Sequence, residues 1–250
     1  MTTITFDNVT LAYDRHPAIH HLSTRIQGGS LTAVVGPNGS GKSTLLKALI
    51  GELRPVSGRI ELMAGSRSDI AYLPQSSTID RKFPLNVRDF LISGLWDRIG
   101  AFAAPGPADS AAIETALLRV GLGGFSRRQL GSLSGGQFQR LMFARLLIQD
   151  KPVVLLDEPF NAIDERTVGD LLRILCDWHG GKRTILVVTH DLDQVRTHFP
   201  ETLLLARELL GHGATSEVLT PANLLQARRM CEAFDEDAPL CTTDARREVA

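Results

Sequence analysis

The sequence predicts an α/β fold, on three observations. Four short apolar runs, residues 31–35, 70–73, 153–156 and 184–188, read as buried strands, each stopped by proline, glycine or polar residues. Between the first run and a helical-looking segment lies a Gly-x-x-x-x-Gly-Lys-[Ser/Thr] phosphate loop, residues 36–44. From 86 to about 130 the pattern turns helical and reads as an all-helical insertion in the sheet domain.

Taken in order, residues 3–13 alternate and are rich in β-formers, which predicts an edge strand or hairpin arm. Residues 19–26 form a second such segment before the Gly28-Gly29 turn. Tyr13, followed by the polar loop DRHP, can either stack on a purine base or pack as an edge-strand tyrosine. The strand 31–35 delivers Gly36, Pro37, Asn38, Gly39, Ser40, Gly41, Lys42, Ser43 and Thr44. A triphosphate needs donors at close range, and the glycines let backbone N–H groups turn inward. The next helix, 43–50, adds its positive end; Lys42 supplies a charge for the β/γ-phosphates, and Ser43 can hold Mg²⁺. Gly51 to Pro55 stop this helix, and Ser57-Gly58 open a further hairpin.

The run 70–73 ends at Pro74-Gln75, where an open α/β sheet places ligand-contacting groups; a solvated turn residue is the plain alternative for Gln75. Residues 76–86, with Arg81, Lys82, Phe83 and Pro84, are expected to form an exposed docking surface. Helical segments 87–100 and 108–122 flank a flexible linker, 101–107. Leu133-Ser134-Gly135-Gly136-Gln137 then opens a helix over 138–148, a second anion-binding end beside the plain reading of ordinary capping. One phosphate loop has no need of two such ends, so either a separate anion or a second copy of the protein is implied.

The strand 153–156 ends in Asp157-Glu158. Asp157 can reach Mg²⁺ and Glu158 can polarise a water, whereas two buried carboxylates without a cation would cost stability. A loop, Asn161-Ala162-Ile163-Asp164, precedes a helix at 167–178. The strand 184–188 brings His190 to its end, within reach of a phosphate or the attacking water. The other histidines show no metal-site spacing, and strand alternation would send His20 and His21 to opposite faces. Residues 202–206 and 208–211 read as a last hairpin and 222–234 as a helix, before an acidic, loose tail.

At 43% hydrophobic and 22% charged, the 250 residues suit a soluble globular protein with one large domain, or a domain plus subdomain. A net charge of -1 gives no long-range reason to expect nucleic acid as a partner. Cys176, Cys231 and Cys241 suggest neither a disulfide framework nor a zinc knuckle, so a reducing compartment is expected. No signal peptide is read at the N-terminus, and there is no run of 18 apolar residues, so membrane association would come through a partner.

Together these stretches resemble the ATP-binding subunit of the ATP-binding cassette (ABC) transporters over about residues 3–220. The resemblance implies an α/β P-loop NTPase core of the ABC ATPase type with an antiparallel β subdomain, a helical subdomain at about 86–140, and a C-terminal helix and tail over 221–250. It implies ATP and Mg²⁺ as cofactors. Tyr13 would stack on adenine, and Gln75 would couple Mg²⁺ (held with Ser43 and Asp157) and the attacking water to a membrane permease. Glu158 would be the catalytic carboxylate and His190 the switch histidine. The LSGGQ residues Ser134, Gly135, Gly136 and Gln137, with Asp164, would serve the ATP of a second copy, closing an ATP-sandwich dimer. The loop between subunits, Asn161-Ala162-Ile163-Asp164, departs from the common Ser-Ala-Leu-Asp at its first and third residues. Residues 72–94 and 158–164 resemble the zinc/manganese importer branch. The implied protein is a peripheral subunit on the cytoplasmic face of the plasma membrane, working with permease subunits and, indirectly, a solute-binding protein. An exporter ATPase, an iron-siderophore importer ATPase and a non-transport ABC ATPase are the alternatives.

Overall fold

The computed structural model describes residues 1–13, 16–75, 81, 83–100, 104–161 and 163–232, the last by its backbone alone. Residues 76–80 and 82 of the expected docking surface, the start of the linker, Ala162 and the tail with Cys241 lie outside the described residues.

Among the described residues, nine strands form two sheets. The smaller, antiparallel sheet has the order β2-β1-β4, with β1 at Thr3–Tyr13, β2 at His16–Ile26 and β4 at Ser57–Met63. The larger sheet has the order β5-β6-β7-β3-β8-β9: β3 is Leu31–Val35, β5 Ile70–Leu73, β6 Val153–Asp157, β7 Thr184–Val188, β8 Glu201–Leu205 and β9 Leu209–Ala214. Its first five strands run parallel, and β9 pairs antiparallel to β8. The core strands read as continuous apolar runs because both of their faces are buried. Val154 and Leu156 of β6 and Ile185 and Val187 of β7 face one core. Their neighbours Val153, Leu155, Leu186 and Val188 face a second core, closed by helix α1 (Lys42–Ile50) and the smaller sheet.

Helices α2 (Val87–Ile92), α3 (Trp96–Ile99), α4 (Pro107–Arg119) and α5 (Gly135–Gln149) lie between β5 and β6 in the chain, and α5 packs on α4 and α2. Helix α6 (Glu165–Gly180) is amphipathic: Val168, Leu171, Leu172, Leu175 and Trp178 recur at helical spacing on its buried side. The Trp178 ring stacks on Phe143 of α5 at 6.0 Å between centroids, which locks α6 to the helical part. Helix α7 (Leu192–His198) follows β7, and α8 (Thr215–Val218) and α9 (Pro221–Glu232) close the described chain.

The structure decides one pair of alternatives and corrects two expectations. β1 is the hairpin arm and not an edge strand, because β4 adds to its free side. His20 and His21 do not separate to opposite faces: His21 takes φ +46°, alternation breaks, and the two rings lie 6.4 Å apart. The signature glycines Gly135 and Gly136 lie inside the first turn of α5 rather than before it, with Ser134 as the cap.

Candidate nucleotide site

Strands β5, β6, β7 and β3 are neighbours, so the loops at their carboxyl ends converge, the position where open α/β sheets bind ligands. These loops carry Gln75, Asp157-Glu158, His190 and the phosphate loop, in that order across the sheet. Gly36 opens the loop at φ +156°, and a Cβ there would lie 2.0 Å from the Leu205 carbonyl oxygen, so only glycine fits. Asn38 and Gly39 form the exposed crest, while Ser40 is buried beneath it. Lys42, 7% exposed, folds back and donates to the carbonyls of Gly36 and Pro37, each at 2.8 Å. Burial pushes its ammonium below the usual lysine range, and the nearby Glu158 and Asp157 carboxylates oppose that shift. Thr44 is buried on α1, and Ser43 is exposed at the helix start.

Ser43 Oγ donates to Asp157 Oδ1 at 3.1 Å. Asp157 is 4% exposed; burial pushes its carboxyl up, against the Ser43 hydrogen bond. A buried carboxylate beside a hydroxyl is a hard-oxygen pair, and a divalent cation would compensate the charge that burial disfavours. These two residues fit Mg²⁺.

Glu158 adopts φ +49°, a left-handed conformation uncommon for this residue type, held by its N–H donating to the Val188 carbonyl at 3.0 Å. The bend brings its carboxylate into a polar cluster. Gln75 Nε2 donates to Glu158 Oε2 at 3.1 Å, Asn161 Nδ2 donates to the same oxygen at 3.3 Å, and His190 Nδ1 lies 3.8 Å from Oε1. A cleft of about 600 Å³ opens beside them, lined by Glu158, Asn161, Thr189 and His190 among others. The Asn161 contact is one that sequence reasoning missed, since the loop drew attention only to bonding across subunits.

Tyr13 ends β1 with 44% of its surface exposed, its ring 5.8 Å from Lys47 Nζ on α1. It is therefore an open ring beside the phosphate-loop helix and not a packed edge-strand tyrosine. Ser134 and Gln137 form a reciprocal capping box at 3.2 and 3.0 Å. Asp164 caps α6 through Thr167, bonding its N–H at 2.9 Å and its hydroxyl at 2.8 Å, and these bonds hold its carboxyl below the usual range. Gly136 lies against this cap: a Cβ on it would sit 3.4 Å from Asp164 Oδ2. The helix starts of α5 and α6 therefore stand side by side. Among the described residues, no hydrogen bond joins either of them to the phosphate loop.

The sequence model of the ABC transporter family matches residues 19–161, more than half of the chain. The chain belongs to the ABC transporter ATP-binding subunits. It is 38% identical over 218 residues to the zinc transport system ATP-binding protein TroB of Treponema pallidum, covering 86% of this chain and 82% of that one. It is 36% identical over 251 residues to the manganese transport system ATP-binding protein MntA of Synechocystis, covering 94% and 96%. A solved ABC transporter in an inward-facing conformation, assigned to the metal-chelate type, superimposes with a TM-score of 0.81 at 31% identity, over 92% of this chain and 90% of that one. The α/β P-loop ABC ATPase fold with a mixed sheet and helical part is thus that of its family. No described helix is long and apolar enough to cross a membrane.

Proposed function

We propose that this chain hydrolyses ATP to power an ABC importer for a divalent transition metal, zinc or manganese. The observation that carries the ATPase reading is the convergence of Lys42, the Ser43–Asp157 pair and the Gln75–Glu158–His190 cluster at one sheet end. The metal reading is supported by what the relatives named above are said to transport. The ATP-binding unit is read as about 1–220, with its helical part at about 86–140.

ATP enters with its adenine on the exposed Tyr13 ring and its phosphates against the backbone N–H groups of residues 36–44. Lys42 exchanges its two carbonyl partners for β/γ-phosphate oxygens. Bound Mg²⁺ supplies charge neutralisation at those oxygens, with Ser43, Asp157 and Gln75 as the residues to hold it. Glu158 accepts the hydrogen bond of the attacking water and orients it. Gln75 and Asn161 hold one oxygen of this carboxylate and His190 stands beside the other, from where it is read as the side chain that contacts the γ-phosphate. Ser134 to Gln137, standing apart from the phosphate loop, serve the nucleotide on a second copy, with Asp164 beside them. The site is therefore half of a two-ATP sandwich, and closure passes to permease subunits through the helical part. Phe83, 59% exposed and close to Gln75 in sequence, belongs to the proposed permease-facing surface.

Phosphate release by purified Lys42→Ala and Glu158→Gln variants tests the ATPase assignment. Each is expected to lose about 100-fold or more in turnover, the usual worth of a positioned base or charge clamp. Near-wild-type hydrolysis by both would overturn it.

A further inference from the structure

We propose that Arg81 is a positioning residue for the signature motif, tying its own stretch of chain to the start of helix α5. This rests on the proposed role of Ser134 to Gln137 toward the ATP of a second copy. The Arg81 guanidinium donates through Nη2 to the carbonyl of Leu133, the residue directly before the Ser134 cap. It also lies over the ring of Phe138 in the first turns of α5, 4.9 Å from the centroid. Its Nε is buried. One side chain thus grips the signature at two points, ahead of the cap and one turn beyond it.

The surrounding backbone makes this grip directional. Residues 85–88 run antiparallel along residues 126–130. Leu130 N–H donates to Leu85 O at 2.9 Å, Val87 N–H to Arg128 O at 2.8 Å and Arg88 N–H to Ser126 O at 2.9 Å. At Gly131 the approach is so close that a Cβ would lie 3.2 Å from the Arg81 carbonyl. These backbone bonds hold the distal end of the clasp whatever residue stands at 81. From Leu130 to the cap the chain makes one tight turn, with Ser132 N–H donating to Gln129 O at 3.1 Å and Leu133 N–H to Leu130 O at 3.2 Å, while Ser134 and Gln137 bond each other. The Arg81 side chain ties the Leu133 carbonyl at the end of this turn to the neighbouring segment. A displacement of the chain at Arg81, beside the exposed Phe83 on the proposed permease-facing side, is therefore passed through the Arg81 side chain to the donors that the signature offers the other subunit. Arg81 has no direct part in holding nucleotide on its own chain.

The test separates these two properties in the full-length chain. In a Glu158→Gln background, which slows hydrolysis, ATP-dependent dimerisation is followed by size exclusion against protein concentration. Binding of the fluorescent nucleotide mant-ATP to dilute monomer is titrated in parallel. Adding Arg81→Ala is expected to raise the protein concentration for half-dimerisation at least about tenfold, the typical worth of a charge-assisted hydrogen bond with its stacking contact. Arg81→Lys keeps one donor but not the planar stack and is expected to fall between the two. Affinity for mant-ATP is expected to stay within about twofold in both, since the phosphate loop is untouched. A Ser134→Arg variant tests the underlying reading separately. If Ser134→Arg blocks dimerisation and Arg81→Ala does not, the role of Arg81 is overturned and the signature reading stands. If neither affects dimerisation, the signature reading falls and takes the proposal with it. Loss of mant-ATP binding in both Arg81 variants would make Arg81 a general folding contact and overturn the proposal.

Discussion

Replacing Gly36 with alanine tests the phosphate loop at its tightest point. The added Cβ would lie 2.0 Å from the Leu205 carbonyl oxygen and 2.7 Å from Ser40 Oγ. Ser40 can rotate, but Leu205 ends β8, whose ladder to β3 pairs Val35 with Leu204, so the carbonyl cannot retreat without breaking sheet hydrogen bonds. Overpacking of this kind costs about 1–3 kcal/mol. Holding a non-glycine residue at this φ adds about 1–3 kcal/mol more. For a chain of this length, ~1 kcal/mol corresponds to a Tm shift of about 2–4 °C, so Gly36→Ala should melt at least about 4 °C below wild type. Gly39→Ala is the control. At φ +76° it is strained, yet nothing lies within 4 Å of its Cβ. It should lose only about 1 kcal/mol. Thermal denaturation and mant-ATP titration read both variants, and Gly36→Ala should also bind nucleotide far more weakly. Equal melting temperatures for the two alanines would refute the loop geometry.

Three further outcomes follow from the site. Asp157→Asn should abolish turnover yet raise thermal stability at pH 7 without nucleotide. The folded state holds the Asp157 proton to higher pH than the unfolded chain, so wild-type stability falls as pH rises from the ordinary carboxylate value through the raised one. Below that window the two proteins should converge, and an asparagine variant less stable at pH 7 would contradict the assignment. Asn161→Ala removes one of two amide donors to Glu158 and should lower kcat by about 3- to 10-fold with little change in KM, read by phosphate release. Tyr13→Ala should weaken mant-ATP binding by about 5- to 30-fold, and unchanged affinity would remove Tyr13 from the site.

Most of the core was legible because buried parallel strands write themselves as short apolar runs with abrupt ends. β3, β5 and β7 occupy the expected residues, and α6 covers the helix expected at 167–178. Strand order was not legible: nothing within residues 3–13 says that β4 will add to the free side of β1. The short helices α7 and α8 escaped notice for a different reason. Asp191 caps α7 through the N–H groups of Asp193 and Gln194, but after Thr189-His190 it reads as the end of a chemical motif. In the site, motif spacing identified the residues at the strand ends. The bend that aims Glu158 is a backbone dihedral with no sequence marker, the Asn161 contact depends on the turn that follows this bend, and the Arg81 contact on segments 52 positions apart meeting.

The central claim, that this chain powers divalent-metal import, is tested most directly by radiolabelled zinc and manganese uptake in cells lacking its gene. The account predicts that uptake of at least one ion falls on deletion, returns with the wild-type gene, and does not return with Glu158→Gln. Undiminished uptake of both ions in the deletion strain, with growth unaffected by metal depletion, would contradict it.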